Sequence, residues 1–229
     1  MQLFYLKNPK DEIILSTEES KHATKVLRRD EGDILDFTDG KGGGYKAEIT
    51  VANNKKCRLK IISRKQKEKQ HNYHLHIAIA PTKNIDRFEW FLEKATEIGI
   101  DEITPIICNR SERKIIKTER GNRILLSAMK QSLKYHLPKL NEAISLNDFI
   151  KQDLKGTRYI AHCENAKKLN LKTANKAERT VILIGPEGDF SPKEIELALQ
   201  NQFQAVSLGT SRLRTETAGI IAVHITNIK

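Results

Sequence analysis

The chain of 229 residues is long enough for one large domain or two small ones, and its 38% hydrophobic and 30% charged residues are those of a globular protein. No run approaches the ~20 apolar residues of a helical membrane span, and the N-terminal stretch lacks the basic flank and apolar run of a secretory signal, so a cytoplasmic protein away from membranes is expected. The excess of 40 Lys and Arg over 29 Asp and Glu, a net charge of +11, favours a polyanionic partner, because neutralising phosphates releases counterions.

Three cysteines, Cys57, Cys108 and Cys163, lie about 50 residues apart, which suits neither a zinc knuckle nor a disulfide framework. They read as buried thiols of a reducing compartment. The first seventy residues are short strands and turns. Ser16 and Glu19 have the spacing of a capping box ahead of a helix in "SKHATKVLRR". The glycine-rich "TDGKGGGY" at 38–45 lies between "DILDF" and "YKAEITV". It is a hairpin loop rather than a phosphate loop, because the residues after it alternate like a strand and do not open a helix. Residues 55–69 then carry eight basic residues and one acid.

The polar stretch "KQKEKQHN" at 65–72 divides the chain into domains at 1–70 and 73–229. Beyond it strands and helices alternate. "HLHIAIA" (74–80) is a strand covered on both faces. A helix over 84–99 puts Phe88, Phe91, Leu92, Ala95 and Ile98 on one face and stops at Gly99. Trp90, at helical spacing, is expected in the core. A strand is expected at 103–108, then a long helix at 118–138 stopped by Pro138, and a short helix capped by Asn147. Further strands are expected at 158–163, 180–185 and 204–209. Ser191-Pro192-Lys193-Glu194 is a capping box with Pro at the first helical position. A last helix runs from about Thr215 to Ile228. Such alternation implies an α/β domain with a mostly parallel, doubly wound sheet. His71, His74 and His76 have no carboxylate or Cys close by in sequence, so they mark a strand start and no metal site is expected.

Two strands end in glycine, at Gly185 and Gly209, and ligands of open α/β sheets sit beyond the carboxyl ends of strands. Loops leaving neighbouring strand ends would wall one pocket, with glycine letting backbone approach the ligand. The second loop, "LGTSRLRTETAG" (208–219), is far more polar than helix capping by Thr215 or Thr217 requires.

"IGPEGDFSPKEIE" together with "LGTSRLRTETA" resembles the paired C-terminal signature of the 16S rRNA uridine N3-methyltransferases of the SPOUT superfamily. "HATKVLRRDEGD" (22–33), "PTKNIDRFEWFLEKATEIGIDEITPI" (81–106), "NRSERK" (109–114) and "KQSLKYHLPKL" (130–140) resemble other motifs of that family in the same order. The resemblance implies a PUA-like β-barrel that binds RNA, followed by a SPOUT α/β domain with a trefoil knot. It also implies a homodimer, 16S rRNA of the small ribosomal subunit as substrate, and S-adenosylmethionine as methyl donor. A donor without phosphate explains why the first loop lacks Lys.

Carried over by position, Gly185, Pro186, Glu187 and Gly188 match the first cofactor loop. Leu208, Gly209, Leu213, Arg214, Thr215, Glu216, Thr217 and Ala218 match the second. His162, Cys163 and Glu164 are candidates for a third wall. Arg214 is the candidate for stabilising charge on the base, with Glu216 orienting it. Arg28, Arg29, Lys83, Arg110, Arg113 and Lys130 are candidate phosphate contacts. Two positions depart from the family pattern: Asp189 stands where a second Gly is common, and Lys134 where Arg is. The competing readings are a non-catalytic RNA-binding protein and a SPOUT enzyme that methylates ribose 2′-hydroxyls of tRNA.

Overall fold

The computed structural model describes residues 2–174 and 177–228, which form two compact units. Residues 1–69 and 129–137 make the first, and residues 70–128 and 138–229 make the second.

In the first unit, β1 (Leu3–Tyr5), β2 (Glu12–Ile14), β3 (Ile34–Thr38), β4 (Gly43–Val51) and β5 (Arg58–Gln66) build one sheet in the order β1-β3-β4-β5-β2. All pairs are antiparallel except β1 with β3. Alternate residues point inward, so Leu35, Phe37, Ala47, Ile49 and Leu59 meet Phe4, Ile13 and Cys57 in a core of their own. The expected hairpin joins β3 to β4. Helix α1 (Thr17–Lys21) starts where the Ser16 hydroxyl accepts from the Glu19 amide. The reciprocal half of the expected capping box is absent, because Glu19 accepts from Lys130 instead. After α1 the backbone widens into a π turn over His22–Val26, and Arg28 sits at φ 52°, so the helix ends earlier than "SKHATKVLRR" suggests.

Met129–Leu137 belongs to this unit because its backbone clasps the glycine hairpin. Gly42 N–H donates to Tyr135 O (2.8 Å) and Leu137 N–H donates to Gly40 O (2.8 Å).

The second unit holds β6 (His74–Ile79), α2 (Ile85–Ile98), β7 (Glu102–Ile107), α3 (Thr118–Gln131, whose last residues pass into the first unit), β8 (Lys139–Leu140), β9 (Ile144–Ser145), α4 (Leu146–Ile150), β10 (Thr157–Ala161), β11 (Leu169–Asn170), α5 (Leu171–Ala174), β12 (Arg179–Ile184), α6 (Pro192–Gln200), β13 (Phe203–Ser207) and α7 (Thr215–Asn227). Its sheet runs β11-β13-β10-β12-β6-β7-β8, every pair parallel. Helix α7 lies over β6 and β12, with α2 packed against it. The opposite face buries Ala78, Ile160, Val181 and Leu183 under Phe149 of α4 and Ile195 and Ala198 of α6. The sheet is thus covered on both faces, as its apolar strands require.

Three expectations need correction. Helix α3 stops at Gln131, not at Pro138. Leu133 takes the left-handed conformation (φ 56°), and Lys134 N–H donates to Met129 O while Leu133 N–H donates to Lys130 O, a Schellman stop built without glycine. Helix α4 is capped by Ser145, whose hydroxyl accepts from the Asp148 amide, not by Asn147. Trp90 is 44% exposed, because the buried stripe of α2 runs through Phe88, Phe91, Leu92 and Ala95, and position 90 falls outside it.

Candidate functional site

Strands β10, β12 and β13 end at the same edge of the sheet, and the chain leaving each contributes to one pocket of about 600 Å³. The loops expected on neighbouring strands are not neighbours: β10 pairs with both β12 and β13 and lies between them. The segment His162–Glu164, the weakest of the candidates by sequence, is therefore the middle wall. Gly188 and Asp189 form one side, Ser207–Leu213 the other, and Ala218 in the first turns of α7 closes the end.

The first loop is held by its acids. Asp189 adopts φ 60°, in the left-handed region that Asp tolerates. Its carboxylate accepts from the Cys163 amide (2.8 Å) and the Phe190 amide (2.9 Å), which ties the first loop to the middle wall. Glycine would allow the turn but not the tie. Glu187 lies outside the pocket lining and accepts from the Lys83 amide (2.9 Å), so it braces the turn. Arg110 donates to Gly188 O (2.8 Å) and lines the pocket. Below the loop, Ser191 and Glu194 complete the expected capping box of α6, and the buried Glu194 also accepts from the Asn109 amide.

The two signature loops are joined directly: the buried Thr215 hydroxyl donates to Gly185 O (3.0 Å). Gly185 and Pro186 are buried behind this link. Gly209 adopts φ 147° with open space where a Cβ would stand, at the pocket wall. Leu208, Leu213 and Ala218 supply apolar surface there.

Arg214 is the N-cap residue of α7, exposed, with no side-chain capping bond. Among the described residues Glu216 makes no ion pair with it. Two residues apart on a helix, the side chains diverge. Glu216 is buried, 3.9 Å from the Arg87 guanidinium through Oε1, and its Oε2 is buried without a partner. Arg87 is the residue that the sequence motifs did not single out. Its only sequence signal is its place in "NIDRFEW" at the start of α2. Thr217 is half-buried beside Glu216.

His162 is 92% buried (relative exposure 8%), and its Nδ1 has no partner. Burial, with the nearby Lys168, pushes its pKa down, so the ring stays neutral. The Lys168 ammonium donates to His162 O (2.6 Å). Cys163 is the exposed thiol of the three, which departs from the expectation of buried thiols.

Of the candidate phosphate contacts, Arg110 alone lines the pocket. Arg113 donates to Lys83 O (2.8 Å), and Lys83 pairs with Glu112 (2.8 Å). In the first unit, Arg29 faces Asp33 at 3.9 Å, Lys130 is engaged by Glu19, and Arg28 is exposed in its turn at φ 52°. Among the histidines, His76 is buried against the Thr104 hydroxyl (2.7 Å) and His71 pairs with Asp101 (3.2 Å). Among the described residues no cluster of His, Cys, Asp and Glu is placed to hold a metal.

The pocket's donor set suits S-adenosylmethionine better than a nucleoside phosphate. Two of its cations, Arg110 and Lys168, are spent on carbonyls of the walls, and a third, Arg212, is exposed at the rim. The rest of the lining is backbone, small hydroxyls, leucines, Asn165 and the carboxylates of Glu164 and Asp189, acceptors that suit the hydroxyls and amine of an uncharged adenosine and repel a phosphate.

Comparison with known proteins agrees with this geometry. Residues 68–227 match the RNA methyltransferase domain, and residues 15–62 match the RNA methyltransferase PUA domain. The ribosomal RNA small subunit methyltransferase E of Mesomycoplasma hyopneumoniae is 33% identical over 74% of this chain and 75% of its own length. A crystal structure of a probable rRNA-methyltransferase from Porphyromonas gingivalis shares 41% identity and superimposes with a TM-score of 0.92, covering 97% of this chain and 95% of that one. The Neisseria gonorrhoeae ribosomal RNA small subunit methyltransferase E bound to S-adenosylmethionine is 28% identical, with a TM-score of 0.84 over 97% of this chain and 95% of its own.

Proposed function

Because this chain belongs to the RNA methyltransferase family that includes the ribosomal RNA small subunit methyltransferases E, we propose that it methylates N3 of a uridine in 16S rRNA of the small ribosomal subunit. S-adenosylmethionine supplies the methyl group on a cationic sulfonium. The observation that carries the reading is the pocket at the ends of β10, β12 and β13, where both signature loops meet through Thr215 and Gly185 and the inner cations are already spent on wall carbonyls.

The protein's own part is to bind, align and stabilise. The Leu208–Leu213 wall, Gly188 and the His162–Glu164 wall hold the donor. Uridine N3 carries a proton at neutral pH, so negative charge must develop on the base as transfer proceeds. Arg214, exposed and uncommitted at the start of α7, meets that charge. Glu216 does not touch the base; paired with Arg87, it holds the first turn of α7 in place. The N3 edge must be free of a pairing partner, so the target uridine is unpaired or flipped out.

In this reading the first unit grips RNA, the second is the catalytic SPOUT domain with a trefoil knot, and two copies form a cytoplasmic homodimer. The basic run at 55–69 supports the first point, since it lies in β5 and beside it. The decisive experiment incubates undermethylated small subunits with the protein and labelled donor, then maps the modified nucleoside. Labelled 3-methyluridine is expected. Label in a ribose 2′-O-methyl group, or none with donor binding absent by calorimetry, would overturn the reading.

A further inference from the structure

The glycine hairpin of the first unit has no part in the methyl-donor pocket, yet it organises a cluster of its own. Its backbone holds the Met129–Leu137 segment: Gly42 N–H and the Thr38 hydroxyl both donate to Tyr135 O (2.8 and 3.3 Å). A Cβ at Gly44 would stand 3.0 Å from the Tyr135 ring, and one at Gly42 would stand 2.8 Å from the His136 ring, so the segment seats only on glycine. Two half-buried rings result, each with an exposed cation over it. The Lys67 ammonium lies 5.5 Å from the Tyr135 centroid, and the Arg64 guanidinium lies 5.9 Å from the Tyr45 centroid. The clasp uses backbone groups and the Thr38 hydroxyl, and needs neither rings nor cations. Asp39, the acid of the turn, accepts from Lys41 N–H, Gly43 N–H and the Tyr45 hydroxyl, so its charge is taken up locally. Arg64 also pairs with Asp11 on the exposed surface.

We propose that Tyr45 and Tyr135, with Arg64 and Lys67, form a stacking site for unpaired nucleotides of the RNA substrate. Tyrosine faces accept bases of any sequence while neighbouring cations take the phosphates, the combination that single-strand binding requires. A duplex, whose bases are stacked on one another, presents nothing to these rings. The site rests on the RNA-methylating reading only for the identity of its substrate.

The test uses the full chain and a fluorescein-labelled single-stranded oligouridylate of about a dozen nucleotides, followed by anisotropy. Tyr135→Leu is expected to bind about tenfold more weakly, and Tyr135→Phe like the parent. Lys67→Gln is expected to lower the salt slope of binding by about one. With small subunits as substrate, KM rises in the Leu and Gln variants while kcat and donor affinity hold. If Tyr135→Leu unfolds, Lys67→Gln and Tyr45→Leu carry the test. Parent-like oligonucleotide binding in Lys67→Gln together with either Leu variant overturns the site, including the case where only subunit capture weakens, which would mark a protein contact. Weakened oligonucleotide binding with no methyl transfer by the parent chain would leave the site standing and remove the methyltransferase reading.

Discussion

Asp189 and Glu216 show how single residues acquire roles that their type does not announce. Asp189 holds the left-handed turn that glycine usually makes, and its carboxylate fastens the first loop to the middle wall. Glu216, expected to serve Arg214, faces Arg87 instead. Arg214→Ala should therefore leave Tm and donor affinity near parental while abolishing methyl transfer, since its side chain supports nothing in the resting fold. Parental activity in that variant refutes its role. Arg87→Leu should differ in kind. It leaves a buried carboxylate unpaired, at a cost of about 1–3 kcal/mol in stability by urea unfolding, and lowers activity through a disturbed first turn of α7. The candidate catalytic arginine was legible because the motif surrounds it. Its buried neighbour's partner was not, because Arg87 lies over a hundred positions away along the chain and spacing carries no information at that range.

Helices and loops divide along the same line. The start of α6 was legible from Ser191 with Glu194, because capping is decided within one turn. The end of α3 was not: Leu133 does there what glycine usually does, and tertiary contacts of the next segment outweigh its preference. Packing between elements turns on α7. A Cβ at Gly219 would stand 2.7 and 2.8 Å from Phe91 ring carbons and 2.9 Å from Ile79 Cδ1, so α7 sits against α2 and β6 only with glycine there. Gly219→Ala is expected to destabilise by about 1–3 kcal/mol through overpacking, despite the better helix propensity of alanine. A Tm equal to or above the parent's would show that α2 yields. Because the same helix carries Ala218 at the pocket wall, donor affinity should fall with stability.

Across the whole chain, charge at the sheet's other edge predicts how stability varies with pH. His76 is buried beside Thr104 and Glu102. Burial drives its pKa from 6.5 to about 4, partly opposed by the Glu102 carboxylate. The unfolded chain thus takes up a proton that the folded chain refuses. The folded state holds its full advantage above pH 6.5 and loses it as pH falls towards 4, by at most about 3 kcal/mol. Urea midpoints measured from pH 7.5 down to 4.5 should fall accordingly, and His76→Gln, which keeps a donor for Thr104, should flatten that slope. An unchanged slope would place the titration elsewhere. From its sequence alone the alternating strands and helices, most helix starts and both signature loops could be read, because each depends on residues within a turn or a strand of one another. The order of the strands, the central place of β10 between the signature loops, the pairing of Arg87 with Glu216 and the seating of Met129–Leu137 on the glycine hairpin were decided only in the folded chain. These depend on which distant surfaces bury each other, and local pattern does not encode that choice.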